Sequence, residues 1–118
     1  PPFRPLVKIL KIMTTVSIIY TVFPDIKSAQ KIISGLLQRK LIACANVHER
    51  ILSMYLWKGE VVNDTECAAI LKIAPQHYKE IEKYILDNHP YECPAILELA
   101  INNVNSSYAN WIQDMISE

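Results

Sequence analysis

Glycine is scarce in this sequence, because the 118 residues include only Gly35 and Gly59. Accordingly, no P-loop, Rossmann fingerprint or nucleophile elbow occurs. Hydrophobic residues make up 51% of the chain, yet no apolar run reaches the ~18 residues of a transmembrane helix. Basic and acidic residues number twelve each, so the net charge is zero and provides no electrostatic footprint for nucleic acid or an anionic membrane. We therefore expect neither partner, and we interpret the chain as non-enzymatic.

Cysteine is also sparse, and its pattern limits the environment of the protein. The sequence has three widely spaced cysteines, Cys44, Cys67 and Cys93. Their number is odd, and no two of them form a Cys-x-x-Cys pair. This pattern favours a reducing compartment over a disulfide scaffold, so we expect a cytoplasmic protein. It also argues against a structural zinc site, which requires clustered cysteine and histidine pairs.

The first 13 residues differ in composition from the rest. They carry Arg4, Lys8 and Lys11, and no acidic residue occurs before Asp25. Two interpretations remain open. The segment is either a remnant of a targeting sequence, or an N-terminal extension that was added to the native chain or forms an extra edge segment. We assign residues 14–118 to one domain, as their number suggests.

Apolar runs and helical periodicities alternate along this domain. Residues 16–23 are predicted to form a central strand, and Asp25 is placed to cap a helix of about four turns. Gly35 inside that helix costs about 1 kcal/mol in propensity, which we expect close packing on the sheet to offset. A second helix over 76–88 and a strand over 95–101 follow. The last helix is predicted to be capped by Ser106 and to turn these residues inward: Tyr108, Trp111, Ile112 and Met115.

The stretch 53–62 indicates a β-hairpin that turns at Lys58-Gly59. Its arms, 43–57 and 60–74, contain no glycine or proline and favour strands. Each arm would reach roughly 50 Å, whereas a compact chain of this size has a diameter of roughly 35 Å. The outer half would leave bare edges carrying Tyr55 and Trp57, so we expect it to pair with another subunit. The alternative is that bulges break the arms inside a monomer.

The predicted order of elements is β-α-β-β-α-β followed by an extra helix. Two helices that cover one face of an antiparallel sheet make the α+β ferredoxin-like sandwich. The long β-hairpin is then an extension of two of the four strands.

Several segments resemble the CutA family, the divalent-cation tolerance proteins. The matching segments run in the family's order over about 14–118: TVFPD at 21–25, LIACANV at 41–47, Tyr55-x-Trp57-x-Gly59-Glu60-Val61, Glu66, Lys72, HPY at 89–91, Pro94-x-Ile96 and Tyr108-x-x-Trp111. The sequence departs from the family's pattern at Ala95, where the family usually has Glu, and at Ala100, where it usually has Pro. The resemblance implies a homotrimer similar to the PII-type signalling trimers, with hairpins paired edge to edge, and a link to copper and other divalent cations.

The candidate metal ligands are soft or borderline side chains. Thiolate and imidazole suit copper and zinc, and Cys44, His48 and His89 are the predicted set, with Cys44 matching the family's cysteine. Cys44 and His48 share a strand face but lie ~13 Å apart on a regular strand. They can bind one ion only if the strand bulges or another subunit contributes. The alternative for Cys44 is a small buried hydrophobic residue.

The resemblance also implies a cleft between subunits. With a turn at Lys58-Gly59, Ile51 pairs with Glu66, and Glu66 and Lys72 project from one face of the returning strand. The predicted lining is Glu66, Lys72, His89, Tyr91 and Trp111. These residues could hold a carboxylate or phosphate ligand, or they could form a structural network of satisfied buried polar groups.

Two functions therefore compete. In the first, a cytoplasmic homotrimer binds copper or another divalent ion in metal tolerance or the response to metal ions. In the second, a non-enzymatic trimeric signalling or scaffold module binds a small anionic ligand or a protein partner in the intersubunit cleft. In both, Tyr55 and Trp57 are aromatic anchors of the trimer interface.

Overall fold

Four strands form one antiparallel sheet in the computed structural model, which describes residues 16–116. The sheet has the order β2-β3-β1-β4 and confirms the predicted ferredoxin-like topology. Residues 1–13, predicted to be an extension, lie outside the described residues, as do the ends of the predicted domain 14–118. The elements are β1 Ser17–Phe23, α1 Ile26–Gln38, β2 Cys44–Trp57, β3 Glu60–Ile73, α2 Tyr78–Asn88, β4 Ile96–Ala100 and α3 Ser106–Ile116. No helix among the described residues is long and apolar enough to cross a membrane.

The two faces of the sheet differ in what covers them. Alternate residues of β1 and β3 pack with α1 and α2 into the main core, which is built from Ile19, Phe23, Ala29, Ile32, Leu36, Ala69, Leu71, Ile81 and Ile85 among others. The opposite face, which we call the open face, carries no helix over its centre. An apolar cavity of about 400 Å³ lies there, lined mainly by Ile18, Tyr20, Ile70, Leu97 and Leu99. Residues 16–116 of a single chain therefore leave one apolar face of the sheet uncovered.

The helix α1 begins where the sequence predicts. Asp25 caps it by accepting a hydrogen bond from the backbone N–H of Ser28 at 2.8 Å, and the hydrogen bonds from Ser28 lower the pKa of this carboxyl. We predicted that Gly35 allows α1 to pack closely on the sheet, and this prediction was wrong. A Cβ at this position would lie 1.9 Å from the hydroxyl oxygen of Tyr84 in α2, so Gly35 permits close helix–helix packing and not close packing on the sheet.

The C-terminal third differs from prediction at three places. A 3₁₀ turn, Pro75–His77, precedes α2, and β4 is shorter at both ends than predicted. The inner face of α3 is confirmed for Ile112, which is buried with Ala109 and Ile116, and for Tyr108, which packs against the same cluster. It is wrong for Trp111 and Met115, which are 39% and 44% exposed. The reason is that α3 packs on Ala43 and Ala74 in a second core cluster, where the small side chain of Ala109 fits.

The β2–β3 hairpin has the predicted register. Lys58 and Gly59 have φ angles of 51° and 83°, which make a two-residue type I′ turn, and Trp57 pairs with Glu60. One bulge falls between His48 and Ile51, but it does not shorten the arms. The described chain measures 63 × 28 × 21 Å, because the hairpin extends well beyond the sheet. Apolar side chains of its outer half are exposed, among them Leu52, Met54, Leu56, Trp57 and Val61.

We expect Gly35→Ala to lower the free energy of unfolding by about 1 kcal/mol, measured by urea denaturation. The added methyl group displaces Tyr84, and overpacking of this kind costs ~1–3 kcal/mol, which exceeds the ~1 kcal/mol that alanine gains in helix propensity. In a Tyr84→Ala background the same change should instead stabilise the protein. Destabilisation of equal size in both backgrounds would show that Tyr84 is not the cause.

Candidate functional site: two polar clusters on the sheet

The first polar cluster, which we call the thiol cluster, consists of Cys44, Asn46, Lys72 and Tyr108. The side chain of Lys72 reaches back across the β2–β3 ladder, because Cys44 and Lys72 are direct cross-strand partners. Lys72 Nζ lies 3.7 Å from Cys44 Sγ and donates a hydrogen bond to Asn46 Oδ1. The hydroxyl of Tyr108 lies 3.5 Å from the same sulfur. A half-buried thiol is thus held between an ammonium and a phenol.

The helix α3 supplies the phenol and one side of this cluster. Its buried residues fix it against Val16, Ala43 and Ala74 at the end of the sheet. The ring of Tyr108 stacks on Trp111 with centroids 5.7 Å apart and an interplanar angle of 12°. The contact with Cys44, followed by burial, raises the pKa of Tyr108 to about 12.

Lys72 carries the only formal charge in the thiol cluster. Ion pairs within the described residues join Lys79 to Glu82 and Lys83 to Asp87, and none involves Lys72. Its hydrogen-bond acceptor, Asn46, is neutral. The ammonium of Lys72 therefore gives the surroundings of Cys44 a positive potential.

The second polar cluster, which we call the hairpin-base cluster, contains Glu66, His89 and Tyr91. Tyr91 Oη donates a hydrogen bond to Glu66 Oε2, while its backbone N–H donates to His89 Nδ1 at 3.0 Å. Because Nδ1 accepts, His89 Nε2 must carry the hydrogen and donate it to the carbonyl oxygen of Val22 at 2.7 Å. The imidazole is therefore neutral, and it stacks on Phe23 with centroids 5.0 Å apart.

These contacts tie the loop after α2 to the point where the hairpin leaves the sheet. Glu66 pairs with Ile51, directly beside the bulge in β2, and Tyr55 Oη donates to Asp64 one step further out. Burial and the hydrogen bond to Glu66 raise the pKa of Tyr91 well above its usual value. The cluster therefore restrains the base of the hairpin from one side.

The structure divides the predicted cleft residues between these clusters. Glu66 and Lys72 do project from one face of β3, but they are six residues apart, roughly 20 Å on an extended strand. Lys72 and Trp111 belong with the thiol cluster, and Glu66, His89 and Tyr91 with the hairpin base. Within one chain, these five residues therefore line two places and not one pocket.

The predicted metal ligands do not meet within one chain either. Cys44 and His48 lie on one face of the regular part of β2, ahead of the bulge. Both ring nitrogens of His89 are engaged by backbone groups, which leaves neither free for an ion. The described residues contain no group of three or more histidine, cysteine or acidic side chains that could hold a metal ion.

Sequence reasoning missed two members of the thiol cluster. The sequence places Asn46 in the segment 41–47, and Tyr108 in the segment Tyr108-x-x-Trp111 and on the inner face of the last helix, but it assigns neither residue to a site. The alternation of β2 could have placed Asn46 on the same face as Cys44. No signal in the sequence could have brought Tyr108 to Cys44, because that contact depends on how α3 packs.

Comparisons with known proteins identify the family. The family profile described as "CutA1 divalent ion tolerance protein" matches residues 17–115. The chain belongs to the CutA1 divalent ion tolerance family. It is 41% identical over 95 residues to the divalent-cation tolerance protein CutA of Pyrococcus horikoshii, an alignment that covers 80% of this chain and 92% of that protein.

Further relatives agree with this CutA1 assignment. Identity is 42% over 99 residues to the divalent-cation tolerance protein CutA of Thermotoga maritima, covering 84% of this chain and 97% of that protein. The crystal structure of the divalent ion tolerance protein CutA1 from Ehrlichia chaffeensis superposes with a TM-score of 0.86 at 38% identity, covering 90% of this chain and 99% of the other. The CutA1 match of residues 17–115 includes both polar clusters.

We expect Tyr91→Phe to lower the free energy of unfolding of this CutA1 chain by about 1 kcal/mol near pH 7, because it removes a hydrogen bond to a carboxylate. The pKa of Tyr91 is raised in the folded state, so its stabilisation is complete below the ordinary tyrosine value of about 10 and is lost as pH rises through the higher folded-state pKa. The difference between wild type and variant should therefore shrink above about pH 10.

Urea denaturation at neutral and alkaline pH would measure this difference. Tyr20→Phe is the matched control, since it removes a hydroxyl from the same sheet without touching the contact to Glu66. A stability loss for Tyr91→Phe that stays constant into the alkaline range would contradict the assignment of the Tyr91–Glu66 hydrogen bond.

Proposed function

We propose that this protein is a non-enzymatic homotrimer that binds divalent metal ions, copper foremost, as its cargo in metal tolerance. Its membership of the CutA1 family supports the link to metal tolerance. The observation that carries the trimer is that the described part of one chain leaves two apolar surfaces uncovered, the open face of the sheet and the outer half of the hairpin. The cytoplasmic location expected from the three unpaired cysteines is part of the same proposal.

The exposed hairpin is unlike the surface of a monomer. Leu56, Trp57 and Val61 are 71%, 62% and 67% exposed, and a two-stranded ribbon is marginally stable alone in water. Its outer half pairs with no third strand among the described residues, so its backbone edges are also open there. A second and third copy that pair with these edges and cover the open face would bury both surfaces. The aromatic residues Tyr55 and Trp57 are the interface anchors of this proposal.

We place the metal site of this trimer between copies, because residues 16–116 of one chain bring no ligand group together. Cys44 is the thiol ligand of the proposed site, since Cys67 is fully buried in the core and thiolate suits copper. His48, which lies on the same face of β2 as Cys44, is the imidazole ligand of the proposed site. The ammonium of Lys72 occupies one side of the sulfur, so the ion must approach from another side.

A second candidate function is recognition of a small anionic ligand in the intersubunit cleft. The specific observation in its favour is that Lys72 has no carboxylate partner within the described residues. An ammonium of this kind can pair with a carboxylate or phosphate. Thermal-shift measurements across a panel of anionic metabolites would test this function, and a flat response would argue against it.

We expect Trp57→Ala to weaken the trimer, as measured by native mass spectrometry across a dilution series. A buried aromatic truncation costs about 3–5 kcal/mol, so the trimer should dissociate at higher protein concentration than wild type. Leu86→Ala is the matched control, because Leu86 is an exposed apolar residue of α2, away from the hairpin. A monomeric wild type, or a variant of unchanged mass and melting temperature, would refute the hairpin interface.

We expect the trimer to bind copper in multiples of three, because a cyclic trimer repeats each site three times. Native mass spectrometry with and without copper should show this uptake in wild type and in Cys93→Ser, and its loss in Cys44→Ser. A trimer that binds no copper, or the same scattered amounts in all three proteins, would reject the metal site and leave the anionic-ligand candidate.

A further inference from the structure

The three cysteines of this chain lie in three different environments. Cys67 is fully buried, and burial raises the pKa of its thiol. Cys93 is exposed, follows the carboxylate of Glu92 in sequence and is not near a lysine in any observed contact. Cys44 is half-buried, with the ammonium of Lys72 3.7 Å from its sulfur. Each thiol thus presents a different combination of access and local charge to a reagent.

The charge beside Cys44 is held in place. Lys72 is half-buried, projects from the regular part of β3 and donates its hydrogen bond to the neutral amide of Asn46. No carboxylate within the described residues forms an ion pair with it. At ~4 Å one unit charge changes the local concentration of a charged reagent by roughly fivefold even in water. Negative reagents are therefore enriched at Cys44 and positive reagents are depleted.

We propose that Cys44 is a modification site for small anionic disulfides, with Lys72 selecting the reagent by its charge. In the reaction, Cys44 Sγ attacks one sulfur of the reagent, a new S–S bond forms and the reagent's own S–S bond breaks. The proton of the Cys44 thiol ends on the departing sulfur, which leaves as a thiol. The reagent disulfide is the oxidant, and Cys44 becomes part of a mixed disulfide. This modification goes beyond the proposed metal function and requires no metal ion.

The second donor of the cluster favours the same class of reagent. The hydroxyl of Tyr108 reaches the sulfur from the side of α3 at 3.5 Å, so a bound anion meets both an ammonium and an O–H group. Cys93 has no ammonium beside its sulfur in any contact of the described residues. The preference for an anionic over a cationic reagent should therefore be stronger at Cys44 than at Cys93.

The test compares two disulfides of opposite charge on the whole, metal-free protein in the presence of a chelator. Glutathione disulfide is anionic and cystamine is cationic, and peptide mapping gives the modification rate of each cysteine. The ratio of the two rates at one thiol cancels that thiol's intrinsic reactivity. We expect this ratio, anionic over cationic, to be at least about fivefold higher at Cys44 than at Cys93. Cys67 should stay unmodified while the protein is folded.

Substitutions then assign the preference to its cause. Lys72→Met should lower the anionic-to-cationic rate ratio at Cys44 to the ratio at Cys93. Lys72→Arg keeps the charge and should keep the ratio at Cys44. Lys31→Met, which removes an exposed lysine of α1, is the control and should leave the ratio at Cys44 unchanged. If Lys72→Met unfolds, modification of Cys67 will reveal it. Added salt then provides the alternative measurement, because screening should lower the ratio at Cys44 in wild type.

Three results would overturn the proposal. The first is an equal ratio at Cys44 and Cys93, the second is a preference that persists in folded Lys72→Met, and the third is failure of the small neutral reagent iodoacetamide to reach Cys44 in the native protein. Since the labelling is done without metal, its outcome is independent of whether the trimer binds copper.

Discussion

The difference in length between β3 and its neighbour β1 is the constraint on which the rest of this structure depends. Residues 68–72 of β3 pair with β1 on one side and with β2 on the other, whereas residues 60–66 pair with β2 alone among the described strands. The inner half of the hairpin is therefore part of the core, and the outer half leaves the domain as a two-stranded ribbon. The described residues do not bury that ribbon, so the strand lengths leave its backbone edges and apolar side chains exposed.

The register of β3 also places both polar clusters. Odd-numbered residues from Cys67 to Ile73 face the helices, so Glu66 and Lys72 lie on the open face. Pairing sets Lys72 opposite Cys44 and Glu66 beside the bulge. A slip of one residue would turn both charges into the core and expose Leu71 and Ile73. The same register thus fixes the core, the sites and the unpaired edges together.

Features governed by local rules could be predicted from the sequence, and features governed by packing could not. The hairpin register follows from the position of one turn and the alternation of side chains along each strand. The cap at Asp25 follows from its position directly before a run of apolar residues at helical spacing. The face of α3 depended instead on which side chain fits between Ala43 and Ala74, and this is Ala109. In the same way, the ring nitrogens of His89 are occupied by the backbone of a strand and a loop that are distant in sequence.

Net charge and local charge lead to different conclusions in this protein. Equal numbers of acidic and basic residues give a long-range field too weak to attract a polyanion. Part of that balance comes from helix pairs such as Lys83–Asp87, which neutralise each other at the surface. Lys72 has no such partner among residues 16–116, and its ammonium is the formal charge that lies next to Cys44. Selectivity for a small ion or reagent depends on that proximity, so a neutral sequence can still contain a site that discriminates by charge.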